Sequence, residues 1–254
     1  SEKSLGTAME RLSTGRRINS AADDAAGLAI GNKMATQIRS LNQAVRNAND
    51  GISMIQTAEG AAEGITNLLI RMRELSVQAT NGTNSTSDKT ALQSEFSSLQ
   101  TEITRISDKT TWNGVALIGA DAGSVAYQIG VDGSTSDQVT VTFKDLNSGT
   151  SFATAVASTT SATATTSITH IDDAISALDA FRSDLGAKIN RLTYAADNLT
   201  NIATNTAASR SRIVDTDYAQ TTSELARAQI VRQAGTAMLA QANQQPAFVL
   251  ALLR

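Results

Sequence analysis

The sequence predicts a mainly α-helical protein: a long rod of antiparallel coiled-coil helices with a small β-hairpin region and further helices at its ends. Three observations carry this prediction. Apolar residues recur in alternating steps of four and three over both halves of the chain, the heptad seam of a coiled coil. Aromatic residues are only 4% of the 254, with one proline and no cysteine, a composition suited to bundled helices rather than an aromatic core. Period-two alternation is confined to one central stretch.

The first long helix is expected over 28–80. Its seam runs through Met34, Ile38, Leu41, Val45, Ala48, Ile52 and Ile55. One three-residue step to Ala58 then shifts the phase like a stammer, before Ala62, Ile65, Leu69 and Met72 resume it. Such a helix is roughly 80 Å long at about 1.5 Å per residue. Gly51, Gly60 and Gly64 each cost about 1 kcal/mol against Ala, and close approach of a neighbouring helix is the expected return. The stretch TNGTNSTSDK (80–89) reads as a loop in which Ser87 or Asp88 caps the next helix, 88–108. That helix carries Leu92, Phe96, Leu99, Ile103 and Ile106 in the same spacing, and the short loop makes the pair antiparallel.

The middle changes character. Asn113-Gly114 is a turn signal. Val125, Tyr127, Ile129 and Val131 alternate before a Gly/Ser turn, and Val139, Val141 and Phe143 alternate after it, so a β-hairpin region is expected over 112–146. Residues 147–169 are rich in Ser and Thr and read as a linker. Heptads return over 170–208 at Ile171, Ile175, Leu178, Leu185, Ile189, Leu192, Ala196 and Leu199; Arg182 interrupts the seam, with Phe181 beside it as a substitute. After SRSRIVDTD a last helix runs to about Gln244, and Pro246 ends it before the apolar tail AFVLALLR.

Chemistry finds little to work with. A formal charge of −3 argues against nucleic acid as a partner. No apolar run reaches the roughly 18 residues of a membrane span, and Ser1 to Gly15 has no apolar core of a cleavable signal peptide. Without cysteine there are no disulfides or thiolate nucleophiles, and the single histidine, His170, cannot build a zinc site. His170 is expected at a solvated surface just before a helix. Neither H-E-x-x-H nor a Gly-rich phosphate loop occurs, so neither a metal nor any other cofactor is expected. Asn81, Asn84 and Asn198 match N-x-S/T, as chance allows in a chain rich in Asn and Thr.

RRINSAADDAAG (16–27) is the one stretch that resembles an active site. Asp23 and Asp24 are sequence neighbours, however, so on a helix they diverge by about 100° and cannot share a proton. Ser20-x-x-Asp23 instead has the spacing of a capping box, and both acids suit a helix N-terminus. Arg16 and Arg17 cannot act as bases and suit carboxylates or carbonyls, within the chain or on a neighbouring one. Asn19 belongs to the same connector. An enzyme is not supported, and an interaction protein fits better. The last helix sets Leu225, Val231, Met238 and Leu239 among Gln and small residues, and the tail adds Phe248, Val249, Leu250, Leu252 and Leu253. Such segments need a partner, and head-to-tail self-association would produce a filament.

LGTAMERLSTGRRINSAADDAAGLAI, RNANDGISMIQTAEGA, RMRELSVQATNGTNS, FRSDLGAKINRL, SRSRIVDTDYA and ARAQIVRQAGTAMLAQANQQ resemble bacterial flagellin, in order and over nearly the whole chain. The resemblance implies a filament subunit of the bacterial flagellum, extracellular, used for motility and exported by the flagellar type III pathway without a cleaved signal peptide. It implies a partial D0 helix over 1–14, a D0–D1 connector over 15–27, a D1 rod over 28–213 and a connector with D0 helix over 214–254. A Ser/Thr linker stands where larger relatives insert outer D2 and D3 domains, so a minimal flagellin is expected. The match begins part-way into the N-terminal D0 helix, which implies impaired export and polymerisation for this form. Arg16 departs from the family pattern, which has an apolar residue there. The implied partners are further copies of the chain, a secretion chaperone on the C-terminal segment, filament cap and junction proteins, and the Toll-like flagellin receptor of hosts. For that receptor the resemblance points to Arg71, Glu74 and Leu75, to Glu95, and to Ile171 and Ile175. A related flagellar junction protein or another secreted helical protein is the alternative.

Overall fold

The computed structural model describes residues 2–145, 154 and 164–252. The order is α1 (Glu2–Thr14), α2 (Ala25–Thr80), α3 (Thr86–Lys109), β1 (Thr111–Trp112), β2 (Val115–Ala116), β3 (Ser124–Gln128), β4 (Gln138–Thr142), α4 (Ala164–Val214) and α5 (Tyr218–Leu252). The chain divides into a central unit, 40–201, and a terminal unit made of 1–39 and 202–254.

In the central unit α2 and α4 run antiparallel, as their paired residues show. Arg73 meets Asp172 at 2.6 Å, Glu59 meets Arg182 at 3.8 Å, and the Cβ position of Gly51 lies 3.1 Å from Leu192. The seam of α2 has no stammer. Among its buried positions, Leu41, Ala44, Ala48, Gly51, Ile55, Ala58, Ala62, Ile65, Leu69, Met72, Ser76 and Ala79 form an unbroken alternation of three and four, with Met54 and Leu75 buried beside it. Val45 and Ile52 flank this seam and are only partly buried. The bulkier residues misplace the phase because Gly51 leaves room that other elements fill. At Gly51 the ring of Tyr127 and the side chain of Leu192 occupy that space, each 3.0–3.1 Å from where a Cβ would stand. Gly60 and Gly64 differ: nothing lies within 4 Å of a Cβ at either, so no close approach accounts for them.

The short connection to α3 is closed by Ser85. Its hydroxyl accepts from the Asp88 amide at 3.2 Å, while the Asp88 carboxylate accepts from the Ser85 amide at 2.9 Å. The capping box therefore starts at Ser85, two residues ahead of the expected cap, and Asp88 is its third helical residue. Phe96 and Ile103 carry the inner face of α3, with Leu92, Leu99 and Ile106 packed beside them.

Two hairpins come next. Trp112 pairs with Val115 around Asn113 (φ 47°) and Gly114 (φ 81°), the left-handed pair of a two-residue type I′ turn. The larger hairpin pairs Val125 with Val141 and Tyr127 with Val139. Its inner face buries Tyr127, Val139, Val141 and Phe143. Ile129 and Val131 lie past the end of β3, and Val131 is exposed, because Ile129 and Gly130 both donate to the Asp137 carbonyl and end the ladder. The hairpin is held to α2 by Asn47 Nδ2, which donates to the Gln128 carbonyl at 3.0 Å, and by the Tyr127 hydroxyl, which donates to Met54 Sδ at 2.7 Å. Burial pushes the Tyr127 phenol up to about 12.

The expected linker 147–169 lies mostly outside the described residues. Its last part is already helix: α4 begins at Ala164, not 170, and ends at Val214, not 208. Ser167 and Ile171 continue the buried seam backwards, so packing extends a segment of modest helix propensity. His170 is consequently a partly buried residue inside α4 rather than a solvated one ahead of it. Phe181 is buried in place of Arg182, as its position beside the break predicts.

In the terminal unit α1 packs along α5. The helix α5 does not stop at Pro246 but continues to Leu252. A proline removes one backbone donor and crowds the carbonyl four residues back, at a cost of about 3 kcal/mol. The Ala, Gln and Leu residues on both sides have high helix propensity and sustain the helix across that defect.

Candidate functional site

Three features are candidates: the connector, the surface of α5, and a charge cluster on α2 and α3. The connector is built by hydrogen bonds between two chain segments far apart in sequence. Gly15 follows α1 at φ 69° and donates to the Arg11 carbonyl at 2.9 Å, the left-handed cap that glycine supplies. A Cβ there would stand 2.9 Å from the Tyr218 hydroxyl. Arg16 then pairs with Asp215 in an antiparallel bridge, flanked by Arg17 N–H to the Val214 carbonyl (2.7 Å) and Thr216 N–H to the Gly15 carbonyl (3.0 Å). The Arg17 guanidinium donates to the Ile213 carbonyl at 2.7 Å. It thus satisfies one of the last carbonyls of α4, which have no partner within the helix. The side chain of Arg16 is exposed.

The acids of this stretch divide their work differently from the expected capping box. Asp23 Oδ2 accepts from the Ser20 amide (2.9 Å), the Asn19 amide (3.0 Å) and the Ser20 hydroxyl (3.2 Å), closing a turn ahead of the helix. The Ser20 and Asn19 amides, aided by the charge of Arg11, hold its carboxyl below the ordinary carboxylate range. Asp24 is the true cap, with Oδ1 accepting from the Gly27 amide at 2.8 Å. Two adjacent carboxylates thus serve two consecutive backbone sites. Sequence reasoning missed Gly15, Ile18 and Asp215. Gly15 was findable as a glycine just past a helix end.

On α5, Leu225 is partly buried, whereas Val231, Met238 and Leu239 are exposed, the last two by 71% and 65%. Ile230 is exposed as well. At about 100° per residue these four exposed residues lie on one half of the helix circumference, and Glu224, Arg227 and Arg232 are interspersed along the same helix. Leu250 is in the helix but its side chain is not described, and Leu253 lies outside the described residues.

The charge cluster sits in the central unit. Arg71 reaches Glu95 through Nε (3.0 Å) and Nη2 (2.8 Å), and Glu74 through Nη1 (2.9 Å). Glu95 and then Glu74 push the guanidinium further towards its charged form. All three side chains are about half exposed. Leu75, beside the seam of α2, and Ile171, on the seam of α4, are completely buried, and Ile175 is partly buried. The six residues to which the resemblance points therefore divide into an exposed ionic triad and apolar residues turned inward. Among the described residues no three His, Asp or Glu side chains converge as a metal site, and no helix is long and apolar enough to cross a membrane.

Comparison with known proteins places this geometry. Residues 1–121 match the bacterial flagellin N-terminal helical region, and residues 168–253 match the bacterial flagellin C-terminal helical region. A flagellin of Halalkalibacterium halodurans is 47% identical over 97% of this chain and 91% of its own length. Flagellin B of Vibrio anguillarum is 35% identical over 96% of this chain and 92% of its own. Among solved structures, Bacillus cereus flagellin superposes with a TM-score of 0.55 at 34% identity, covering 65% of this chain and 94% of that one. With its two helical end regions, small strand pairs and near full-length likeness to these relatives, the chain belongs to the bacterial flagellins, the structural subunits of the flagellar filament.

Proposed function

We propose that the chain assembles through its terminal helices, and that the exposed apolar residues of α5 are buried by neighbouring subunits. The observation that carries this reading is the placement of Ile230, Val231, Met238 and Leu239 in solvent on one side of α5. Exposed apolar side chains clustered on a helix are stable when covered, and in a homopolymer the cover is further copies. In the connector Arg17 reaches the end of α4, Asn19, Asp23 and Asp24 close the turn ahead of α2, and the Arg16 side chain is exposed. Seeded sedimentation tests this. Arg17→Glu should slow growth from filament fragments while leaving the helical circular dichroism of the chain unchanged; undiminished growth would refute the assignment.

Before assembly the same C-terminal segment is the natural docking site for a secretion chaperone, since Ile230, Val231, Met238 and Leu239 stand exposed in it. Export through the flagellar type III pathway, and contact with cap and junction proteins at the filament ends, belong to the same reading. The Arg71, Glu74 and Glu95 triad is the proposed contact for the Toll-like flagellin receptor. Leu75 and Ile171, to which the resemblance also points, are buried in the unbound chain. Arg71→Ala with Glu95→Ala should therefore abolish receptor signalling in a chain that remains folded. Leu75→Asp would confound that test by unfolding the core.

A further inference from the structure

Asn-Gly occurs twice in surface turns of the described structure, and the two occurrences are built differently. Asn81-Gly82 lies in the loop between α2 and α3, and Asn113-Gly114 closes the β1–β2 hairpin. We propose that Asn81 is a site of spontaneous covalent modification, converting to aspartate and isoaspartate, while Asn113 is protected by its turn.

The reaction needs a free amide nitrogen on the following residue and an accessible, polarised side-chain carbonyl. Both are present at Asn81. The residue is exposed, and the Gly82 amide donates no hydrogen bond. Asn81 Oδ1 accepts from the Thr83 amide at 3.3 Å. That donor polarises the carbon to be attacked and faces the oxygen that gains negative charge. Deprotonated Gly82 nitrogen attacks Asn81 Cγ; the new C–N bond forms as the side-chain amide leaves, protonated, as ammonia. The resulting five-membered succinimide takes up one water at either carbonyl. One opening gives aspartate, and the other gives isoaspartate with Cβ in the main chain. Net consumption is one water, net release is one ammonia, and nothing is oxidised or reduced.

At Asn113 the backbone opposes the same ring closure. Asn113 is the one non-glycine residue of the described structure with positive φ, at 47°. Its turn is clamped by the Trp112–Val115 and Thr111–Ala116 pairs, with Leu117 N–H donating to the Thr110 carbonyl at 3.1 Å behind them. Rotating the Asn113 backbone to bring Cγ onto the Gly114 nitrogen would break those pairs. The loop at 81–85 has no strand to break, and nothing lies within 4 Å of a Cβ at Gly82. Each conversion adds one negative charge between the C-terminus of α2 and the capping box at Ser85–Asp88.

The test is storage of the purified chain at mildly alkaline pH, with peptide mapping and isoaspartyl methyltransferase labelling over time. Conversion should appear first in the peptide containing 81–82, with an acidic shift in isoelectric focusing, while the 113–114 peptide stays unconverted. Gly82→Ala, which the open space tolerates and which has no positive φ to strain, should slow the Asn81 reaction severalfold at unchanged melting temperature. Asn113 serves as the internal reference within the same chain. Conversion at 113–114 before or together with 81–82, or an undiminished rate in Gly82→Ala, would overturn the proposal.

Discussion

The central and terminal units are made from the same kinds of residue but spend them differently. In the central unit large apolar side chains build the core: Phe96, Ile103, Leu69, Ile171 and Leu185 are completely buried, although Ile70, Val77, Trp112 and Tyr194 are exposed. In the terminal unit the buried apolar set is mostly small or branched, with Ala8, Ile18, Ala203, Val214 and Ala228, while Met9, Tyr218, Ile230, Val231, Met238 and Leu239 face solvent. One unit buries large apolar side chains in a core, and the other leaves more of its large apolar side chains in solvent than it buries. Paired substitutions break the comparison if it is wrong. Phe96→Ala should cost about 3–5 kcal/mol in urea melts of the unassembled chain. Met238→Ala should stay within about 0.5 kcal/mol in the same melts, yet reduce seeded polymerisation. Equal destabilisation by the two would mean that α5 already has a core of its own.

The second contrast lies within α2, between glycines that are filled around and glycines that are not. At Gly51 a new methyl group meets the Tyr127 ring and Leu192 at 3.0–3.1 Å, whereas at Gly60 it meets nothing. Replacing a helical glycine by alanine gains about 1 kcal/mol in propensity, and overpacking costs about 1–3 kcal/mol. Gly60→Ala should therefore raise the melting temperature, and Gly51→Ala should lower it or leave it level. A clear rise for Gly51→Ala would show that the hairpin carrying Tyr127 shifts freely on α2.

These glycines also mark where the sequence stops being legible. The period of the helices is written locally, so α2, α3 and α4 could be read from it. The phase of the α2 seam could not, because Tyr127 comes from a hairpin far along the chain, and its ring fills the gap that makes Gly51 a core position rather than Ile52. The boundary at Ser85 follows from Ser-x-x-Asp, but a second hydroxyl at Ser87 competes for the same role in the bare sequence. Pro246 misled for the opposite reason: a strong local breaker was overridden by the helix formers around it. The resemblance located the Arg71 triad, and only packing could reveal that Leu75 beside it belongs to the core.

The smallest expected effect compares the two carboxylates that close turns, Asp23 in the terminal unit and Asp88 in the central one. Hydrogen bonds depress both: the Ser20 and Asn19 amides at Asp23, and the Ser85 hydroxyl and amide at Asp88. A carboxyl bound more tightly when ionised is lower in the folded state than in the unfolded one. Its contribution is fully present above the unfolded carboxylate range and is lost as pH falls through the lower, folded value. Both sites are solvent-exposed, so global stability should barely change, and the reading must be local. Amide exchange at Ser20 and Asn19 should accelerate, relative to the same amides in Asp23→Asn, only once the pH falls below the ordinary carboxylate range. The Ser85 amide should take the same course relative to Asp88→Asn. The two turns should differ in how far their opening spreads. At Ser85 the start of α3 remains anchored by the core around Phe96, so loss of protection should stop within the first turn. At Asp23 the next anchors are Ile18 and the bridge between Arg16 and Asp215, so loss should extend to the Arg17 and Thr216 amides. Protection at Arg17 that survives protonation of Asp23 would show that the backbone bridge, and not the aspartate turn, holds the connector together.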